Sequence, residues 1–533
     1  MSAAATVPSR PGARLNPLQV AAFAAAAIAL TPLVAVVAAA LGPGADSLGP
    51  ATFARYAWTS AALAGLVAVG SGALGSAAAW LVVMHRFPGR DLFAWALVLP
   101  LAAPAFAMAY GYADLFDVAG PVRTALRAAL GFDVPLEMRT LPGAAIVLSL
   151  AFYPYVYLTM RAALVNQSVG ALEAARTLGR TPNAAFWAVT LPMARPALAA
   201  GMALAVMETL ADYGAVSFLG VQTLTTGVVR AWSVFGSTAE AARLALPLLA
   251  AAAVLLVIER SSRRNRPADV GPARWRPLPT TTLKPPGAAL AILFCLLLIG
   301  AGLLLPAGWL AYRGLTVEPE TARLLRGGLN ALGLAAAAAV LTTALACALA
   351  LGARGNRLLA RAASLGYATP GAVMAIGLLV PAGLLWRGLG GGAAGFEVAV
   401  LLLLLAYAAR LMAAALEPVD AGLERVTPSM VRAARSLGQS ETGAALKVEL
   451  PIARGALFTA ALLVFIDVLK ELPATVILRP FGFDTLAVMA DYYAKDERLA
   501  QAAFPSLLIV LVAVPAVVWL THRIGASRPG SPI

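Results

Sequence analysis

The sequence predicts an all-α polytopic membrane protein of about 12 transmembrane helices, arranged as two parallel six-helix repeats. Hydrophobic residues occupy 60% of the 533 positions and charged residues only 12%, which leaves too little polar surface for a water-soluble protein of this length. Apolar runs of about 20 residues, long enough to cross a bilayer, recur throughout the chain. In addition, a stretch of 26 residues occurs twice, at a constant separation of 259 residues.

The apolar runs define the predicted membrane spans. In the first half of the chain they lie at about 18–42, 57–84, 91–115, 142–165, 196–220 and 242–259. In the second half they lie at about 288–311, 328–352, 358–385, 396–416, 456–478 and 502–522. Each repeat has an even number of spans, so the two repeats are predicted to have the same orientation in the membrane.

Polar segments separate and flank the repeats. Residues 1–17 form a polar leader, and the first repeat covers 18–259. Residues 260–286, which are rich in Arg, Pro and Thr, are predicted to be a linker. The second repeat covers 287–524, and residues 525–533 form a short tail.

Basic residues are distributed unevenly between the two sides of the membrane in this arrangement. With the leader, linker and tail in the cytoplasm, 26 of the 40 Lys and Arg residues fall on the cytoplasmic side and 14 on the other. This agrees with the positive-inside rule. The net charge of +14 therefore reports membrane topology and does not indicate nucleic-acid binding. Both termini and both copies of the repeated stretch are predicted to be cytoplasmic.

The repeated stretch predicts two helices joined by a sharp turn, which we call the elbow. The two copies read EAARTLGRTPNAAFWAVTLPMARPAL at 173–198 and RAARSLGQSETGAALKVELPIARGAL at 432–457. Gly179 and Gly438 follow the first helix, where glycine suits a left-handed cap. Thr181 and Ser440 are predicted to cap the start of the second helix.

The elbow resembles the EAA loop of binding-protein-dependent ABC importer permeases, in which E-A-A, three further residues and a Gly are followed by Leu-Pro or Ile-Pro. The first copy matches at Glu173, Ala174, Ala175, Gly179, Leu191 and Pro192. The second copy matches at Ala433, Ala434, Gly438, Leu450 and Pro451 and departs at Arg432, which replaces the acid. The resemblance implies that both elbows are cytoplasmic coupling helices that dock on an ATP-hydrolysing subunit. One chain with two elbows would then serve two copies of that subunit.

The chain itself is not predicted to be an enzyme. None of its four lysines follows Gly in a Walker-type phosphate-binding sequence. We therefore expect this chain to have no catalytic residues and to bind no cofactor, with ATP used by the partner subunit. Cys295 and Cys347 lie inside apolar runs, so the sequence supports neither a disulfide nor a metal site.

Four carboxylates occupy matched positions just beyond the elbows. Glu208 and Asp212 lie in the fifth predicted span, and Asp467 and Glu471 lie in the eleventh. The i, i+4 spacing predicts that each pair shares one helix face. A charge inside the membrane costs at least about 2.5 kcal/mol on insertion scales and normally faces the bundle interior or an aqueous path. The four acids are therefore predicted to line the translocation pathway. The alternative is internal pairing, with Lys470 bonded to a neighbouring acid.

Two stretches, at 208–232 and 469–493, resemble the corresponding regions of ferric-iron ABC importer permeases. The resemblance implies that this chain lies in the lipid of a bacterial inner membrane. It also implies that a periplasmic solute-binding protein delivers Fe(III) to the chain. Carboxylate oxygens suit Fe(III). Thiamine, aminoethylphosphonate, sulfate and polyamine permeases are the alternatives within the same family.

Two other classes of protein account less well for the sequence. A secondary transporter can also have six plus six spans, but it needs no duplicated elbow. A membrane-embedded enzyme would need clustered acids, His or a metal motif such as H-E-x-x-H at a membrane face, and the sequence contains none.

Overall fold

A computed structural model describes residues 16–42, 48–167, 175, 177–181, 184, 186–264, 280–354, 356–388 and 395–526. Most of the predicted leader, the middle of the predicted linker and most of the predicted tail lie outside the described residues. Glu173 and Ala174 of the first elbow also lie outside them.

The described chain is built almost entirely of helices. Those of the first repeat are α1 (Pro17–Ala40), α2 (Pro50–Met84), α3 (Arg90–Ala96), α4 (Ala105–Leu115), α5 (Pro121–Leu130), α6 (Leu141–Asn166), α7 (Leu191–Ala211), α8 (Gly214–Phe218), α9 (Leu224–Ser233) and α10 (Thr238–Arg264). Those of the second repeat are α11 (Pro285–Ile299), α12 (Leu305–Gly314), α13 (Thr321–Gly352), α14 (Arg357–Ala363), α15 (Gly371–Gly388), α16 (Gly395–Leu423), α17 (Pro428–Ser436), α18 (Glu441–Ala444), α19 (Leu450–Leu469), α20 (Pro473–Leu478), α21 (Leu486–Lys495) and α22 (Leu499–Ala526).

Two short strands hold the end of the linker against the first repeat. β1 (His85–Arg86) directly follows α2, and β2 (Thr281–Thr282) precedes α11. The strands pair in parallel, and the His85 Nδ1 atom lies 2.7 Å from the Thr281 hydroxyl. Helical structure extends further into the predicted linker than the composition indicated, since α10 continues to Arg264 and α11 begins at Pro285.

The number of membrane spans agrees with the prediction of about 12. Among the described residues, 10 helical runs are long and apolar enough to cross a membrane, and two bent pairs raise the total to 12. The predicted third and ninth spans are these bent pairs, with angles of 90° and 104°. Each bend falls just before a proline, Pro104 or Pro370, because the residue before a proline is disfavoured in the α conformation. Ala103 and Thr369 accordingly have extended backbones.

Three wide π turns precede Leu-Pro pairs. They lie directly before Leu191, Leu305 and Leu450. A proline inside a helix lacks an N–H and crowds the carbonyl four residues earlier, and a wider turn relieves this crowding. The Leu-Pro pair of each elbow therefore lies within one helical run that leads from the elbow into the membrane, at Trp187–Ala211 and Glu441–Leu469.

The first helix of each repeat packs largely against the other repeat. α1 lies against α13 and α15, where Gly352 and Gly377 allow a close approach. A Cβ atom added at these glycines would lie 2.0 and 2.1 Å from backbone oxygens of α1. α11 packs into the first repeat, and its Cys295 is buried in the same cluster as Tyr153 of α6. This exchange interlocks the two repeats in a single bundle.

Candidate translocation site and coupling elbows

Both elbows contain the predicted left-handed glycine. Gly179 and Gly438 have φ angles of +83° and +82°. The residue after each glycine donates its backbone N–H to the carbonyl of Ala175 or Ala434, at 3.2 and 3.1 Å. This bond closes the helix end as in a Schellman motif. The sequence prediction of a glycine cap is confirmed in both copies.

The second helix of each elbow has the predicted cap. The hydroxyls of Thr181 and Ser440 accept the backbone N–H three residues later, at 3.3 and 3.0 Å. These bonds satisfy donors that have no partner at a helix start. The glycine cap and the hydroxyl cap together therefore fix the direction in which the chain turns at each elbow.

The predicted coupling residues occupy two kinds of environment. The exposed ones are Arg432, Ala433, Gly179, Gly438 and Pro451. The buried or partly buried ones are Ala175, Ala434, Leu191, Pro192 and Leu450. Ala175 and Ala434 thus support the elbow from inside, while Ala433 and the other exposed residues form its surface.

Each elbow also exposes two large apolar side chains that the motif did not single out. Leu178 and Leu437 are 84% and 82% exposed, and Trp187 and Leu446 are 67% and 60% exposed. Both pairs are separated by 259 residues, so the repeat register could have identified them. Paired apolar residues at the surface are typical of a contact with another protein or with a membrane.

The second elbow has an ion pair that the first does not repeat at the matching position. Glu449 has a side chain only 4% exposed and pairs with Arg354, at the end of α13. The matching residue in the first elbow is Thr190, whose carbonyl accepts an N–H from Gln167 at 3.0 Å. Among the described residues, the two elbows therefore share their glycine and hydroxyl caps but differ in this attachment to the rest of the chain.

The helices that carry the four predicted pathway carboxylates end earlier than the sequence suggested. α7 ends at Ala211 and α19 at Leu469, so Asp212 and Glu471 lie beyond their helices. The prediction that each i, i+4 pair shares one helix face is therefore wrong. At each break the chain enters a short helix, α8 or α20. Glu208 and Asp467 remain in the last turn of the long helices.

Asp212 and Glu471 cap these short helices. The Asp212 carboxylate accepts the N–H of Val216 at 3.1 Å. The Glu471 carboxylate accepts the N–H groups of Ala474 and Thr475 at 3.0 and 3.2 Å. A carboxylate that accepts N–H groups at a helix N-terminus stabilises the start of that helix. It thereby competes with continuation of the preceding helix. This local bonding explains why the long helices stop here.

All four carboxylates nevertheless line one cavity of about 90 Å³ at the contact between the repeats. Two cations line it as well. Lys470 Nζ lies 3.1 Å from Asp467 Oδ1, and Arg410 Nη1 lies 3.3 Å from Glu471 Oε1. The internal pairing of Lys470 that the sequence left open is therefore present. With four carboxylates and two cations, the lining has a formal charge of −2.

Arg410 was missed as a site residue by the sequence analysis, which counted it among the cytoplasmic cations. The structure places it inside α16, with its side chain 15% exposed. The residue 259 positions earlier is Ala151, so comparison of the repeats gave no indication. A single Arg within an apolar run was the available signal.

A larger cavity of about 720 Å³ adjoins the charged one. Asp467 and Lys470 line both cavities. The larger lining continues along α19 through Leu463 and Thr459, which is the direction of the second elbow. Within the described ranges, no three His, Cys, Asp or Glu side chains are grouped so that they could hold a metal ion.

Contacts between the repeats close the opposite end of the charged cavity. Within the first repeat, the rings of Tyr110 and Phe218 meet edge to face at this end, with centroids 4.6 Å apart. Arg139 of the first repeat forms two bonds of 3.1 Å with Glu497 of the second. Glu497 has a φ of +58° and is, among the described residues, the one non-glycine with a positive φ. The larger cavity thus extends toward the elbows, and the contact between Arg139 and Glu497 lies at the other end of the bundle.

Comparison with known proteins agrees with these features. The family described as "Binding-protein-dependent transport system inner membrane component" matches the chain twice, over residues 71–267 and 336–525. The chain is 25% identical to the Fe(3+)-transport system permease protein FbpB 2 of Haemophilus influenzae, over 81% of this chain and 83% of that protein.

Shorter matches join the chain to permeases named for other substrates. It is 32% identical to the sulfate transport system permease protein CysT of Salmonella typhimurium, over 35% of this chain and 68% of that protein. It is 28% identical to the molybdenum transport system permease protein ModB of Escherichia coli, over 34% and 80% respectively. The chain therefore belongs to the family of binding-protein-dependent transport system inner membrane components, and it carries the family unit twice in one polypeptide.

Proposed function

We propose that this ABC importer permease carries ferric iron across a bacterial inner membrane. The observation that carries the proposal is the charge of the cavity between the repeats, where four carboxylates face two cations. A partly desolvated negative lining attracts cations and repels oxyanions such as sulfate and molybdate. The similarity to the Fe(3+) permease also extends over both repeats, whereas the sulfate and molybdenum relatives match about one third of the chain.

The elbows supply the coupling to ATP hydrolysis in this proposal. Two copies of a cytoplasmic ATPase bind the two elbows through their exposed apolar residues. A periplasmic solute-binding protein delivers the substrate on the other side. The described conformation is then inward-facing, because the large cavity extends toward the elbows while contacts between the repeats close the far end. ATP binding and substrate delivery shift one equilibrium between inward- and outward-facing states.

A polyamine is the second candidate substrate, because the same negative lining favours an organic cation. Uptake into proteoliposomes distinguishes the candidates. The permease is reconstituted with its co-purifying ATPase and with the binding protein encoded beside it. We expect ATP-dependent uptake of radioactive iron supplied as ferric citrate, with no competition from spermidine, sulfate or molybdate. Uptake of spermidine or of either oxyanion without iron uptake would refute the proposed substrate.

The proposed orientation predicts the side from which single cysteines react. In a Cys295→Ala, Cys347→Ala background, Ser440→Cys on the second elbow should be labelled by an impermeant maleimide only from the cytoplasm. Asp117→Cys, between α4 and α5, should be labelled only from the periplasm. The positive-inside distribution of basic residues is the physical reason. Periplasmic labelling at Ser440→Cys would invert the orientation and remove the coupling role of the elbows.

A further inference from the structure

Lys495 reaches from the second repeat to the first at the closed end of the charged cavity. Its Nζ atom lies 2.7 Å from Asp491 Oδ2 and 3.0 Å from Tyr213 Oη. It also lies 4.8 Å from the centre of the Tyr213 ring, a favourable place for a cation. Tyr213 is part of the lining of the charged cavity. The ammonium group therefore stands at the end of the proposed pathway.

Two buried oxygen atoms beside this group have no hydrogen-bond partner in the part of the chain that the structure describes. They are Asp491 Oδ1 and Tyr110 Oη, and their residues are 1% and 0% exposed. The helix that carries Tyr110, α4, contacts both α8, which begins directly after Tyr213, and α21, which carries Asp491. Buried polar atoms normally have partners. The cluster thus contains two oxygen atoms that do not bond Lys495 and could act as ligands of a cation.

The first repeat shows that packing alone does not require these residues. α9 and α21 start after equivalent capping threonines, Thr223 and Thr485. Counting from these caps, Asp491 corresponds to Val229, and Lys495 corresponds to Ser233. Val229 is 5% exposed, so an apolar side chain fills the matching position. The carboxylate and the ammonium group thus occur in the second repeat and not at the matching positions of the first.

We propose that Asp491, Tyr213 and Tyr110 form a cation site that the tethered ammonium of Lys495 occupies while this end of the permease is closed. Fe(III) occupies the site after the contacts between the repeats open and the lysine withdraws. The inference rests on the proposed import of a cation. Carboxylate and phenol oxygens are hard ligands suited to Fe(III), and a coordinating phenol releases its proton to water. When Lys495 returns, its positive charge displaces the metal ion toward Glu208 and Asp467.

Removal of the tethered cation should expose the site in the purified full-length permease. Lys495→Met keeps an unbranched side chain but removes the charge. On addition of ferric citrate, we expect a visible tyrosinate-to-iron charge-transfer band and an affinity for iron at least about tenfold above that of the wild type. Adding Tyr110→Phe should weaken the band, and adding Asp491→Asn should abolish it. Lys447→Met, which removes an exposed elbow lysine, is the matched control and should behave as the wild type.

Several results would overturn the site. One is the absence of the band in both Lys495→Met and a second neutral variant, Lys495→Gln, each shown to be folded by size-exclusion chromatography. Another is a band that does not change with Tyr110→Phe and Asp491→Asn. Iron uptake by wild-type proteoliposomes separates the two proposals. If the wild type imports iron and the variants show no band, only the site is refuted, whereas failure of wild-type import refutes the iron proposal itself.

Discussion

Glu208→Gln and Asp467→Asn are expected to lower iron uptake by about ten- to hundredfold while the permease still accumulates in the membrane and still binds its ATPase. Both acids lie in the last turn of a long helix and line the charged cavity. Removing the charge weakens contacts with a passing cation, and hydrogen bonds to charged groups contribute about 1.5–3 kcal/mol. A loss of about 1.4 kcal/mol corresponds to a factor of ten. Uptake of iron per molecule of folded permease is the measurement.

Glu471→Gln is the matched comparison, because Glu471 lines the same cavity but has a structural role. Its side chain is 1% exposed and pairs with Arg410, and it also caps α20. Breaking a buried ion pair by removing one partner typically costs about 3–5 kcal/mol. We therefore expect less folded protein for Glu471→Gln. If Glu208→Gln loses folded protein to the same extent, or if Asp467→Asn transports normally, the pathway role of these acids is refuted.

Gly438→Val is expected to uncouple ATP hydrolysis from uptake. A left-handed backbone costs a non-glycine residue about 1–2 kcal/mol, and a β-branched residue is the least suited to it. No atom lies within 4 Å of a Cβ added at Gly438, so the effect comes from the backbone and not from a steric clash. The second elbow continues into α19, which starts at Leu450. Asp467 lies about 26 Å from Leu450 along that helix, at 1.5 Å per residue. A change in elbow direction therefore reaches the cavity.

The measurement is ATPase activity of the reconstituted complex, with and without loaded binding protein, beside uptake. We expect Gly438→Val to keep basal hydrolysis and to lose most stimulation and uptake. Gly438→Asn should retain most of both, since Asn tolerates the left-handed conformation. Arg432→Ala should have a mild effect, because an exposed ion pair between Arg432 and the ATPase subunit would contribute only about 0–1 kcal/mol. If Arg432→Ala abolishes stimulation while Gly438→Val retains it, contact chemistry and not elbow geometry controls coupling.

Features encoded by contiguous residues were predictable from the sequence alone. Twelve apolar runs anticipated the number of spans, since the length of a span depends only on bilayer thickness. The glycine and hydroxyl caps of both elbows were also predicted correctly, because each cap bonds a neighbour a few residues away. Even the bends at Pro104 and Pro370 have a local cause, although the sequence prediction gave only the bounds of these two spans.

The function of the charged residues was decided by tertiary structure. The sequence grouped four carboxylates into two equivalent pairs, but in the fold Asp212 and Glu471 also cap short helices. Asp467 is paired with Lys470, and Glu208 lines the cavity from the last turn of α7. Arg410 joins them from another helix, 61 positions from its partner Glu471. Lys495 and Tyr213 meet across 282 positions. Periodicity within one helix cannot reveal such contacts, because they form only when separate helices pack together in the folded protein.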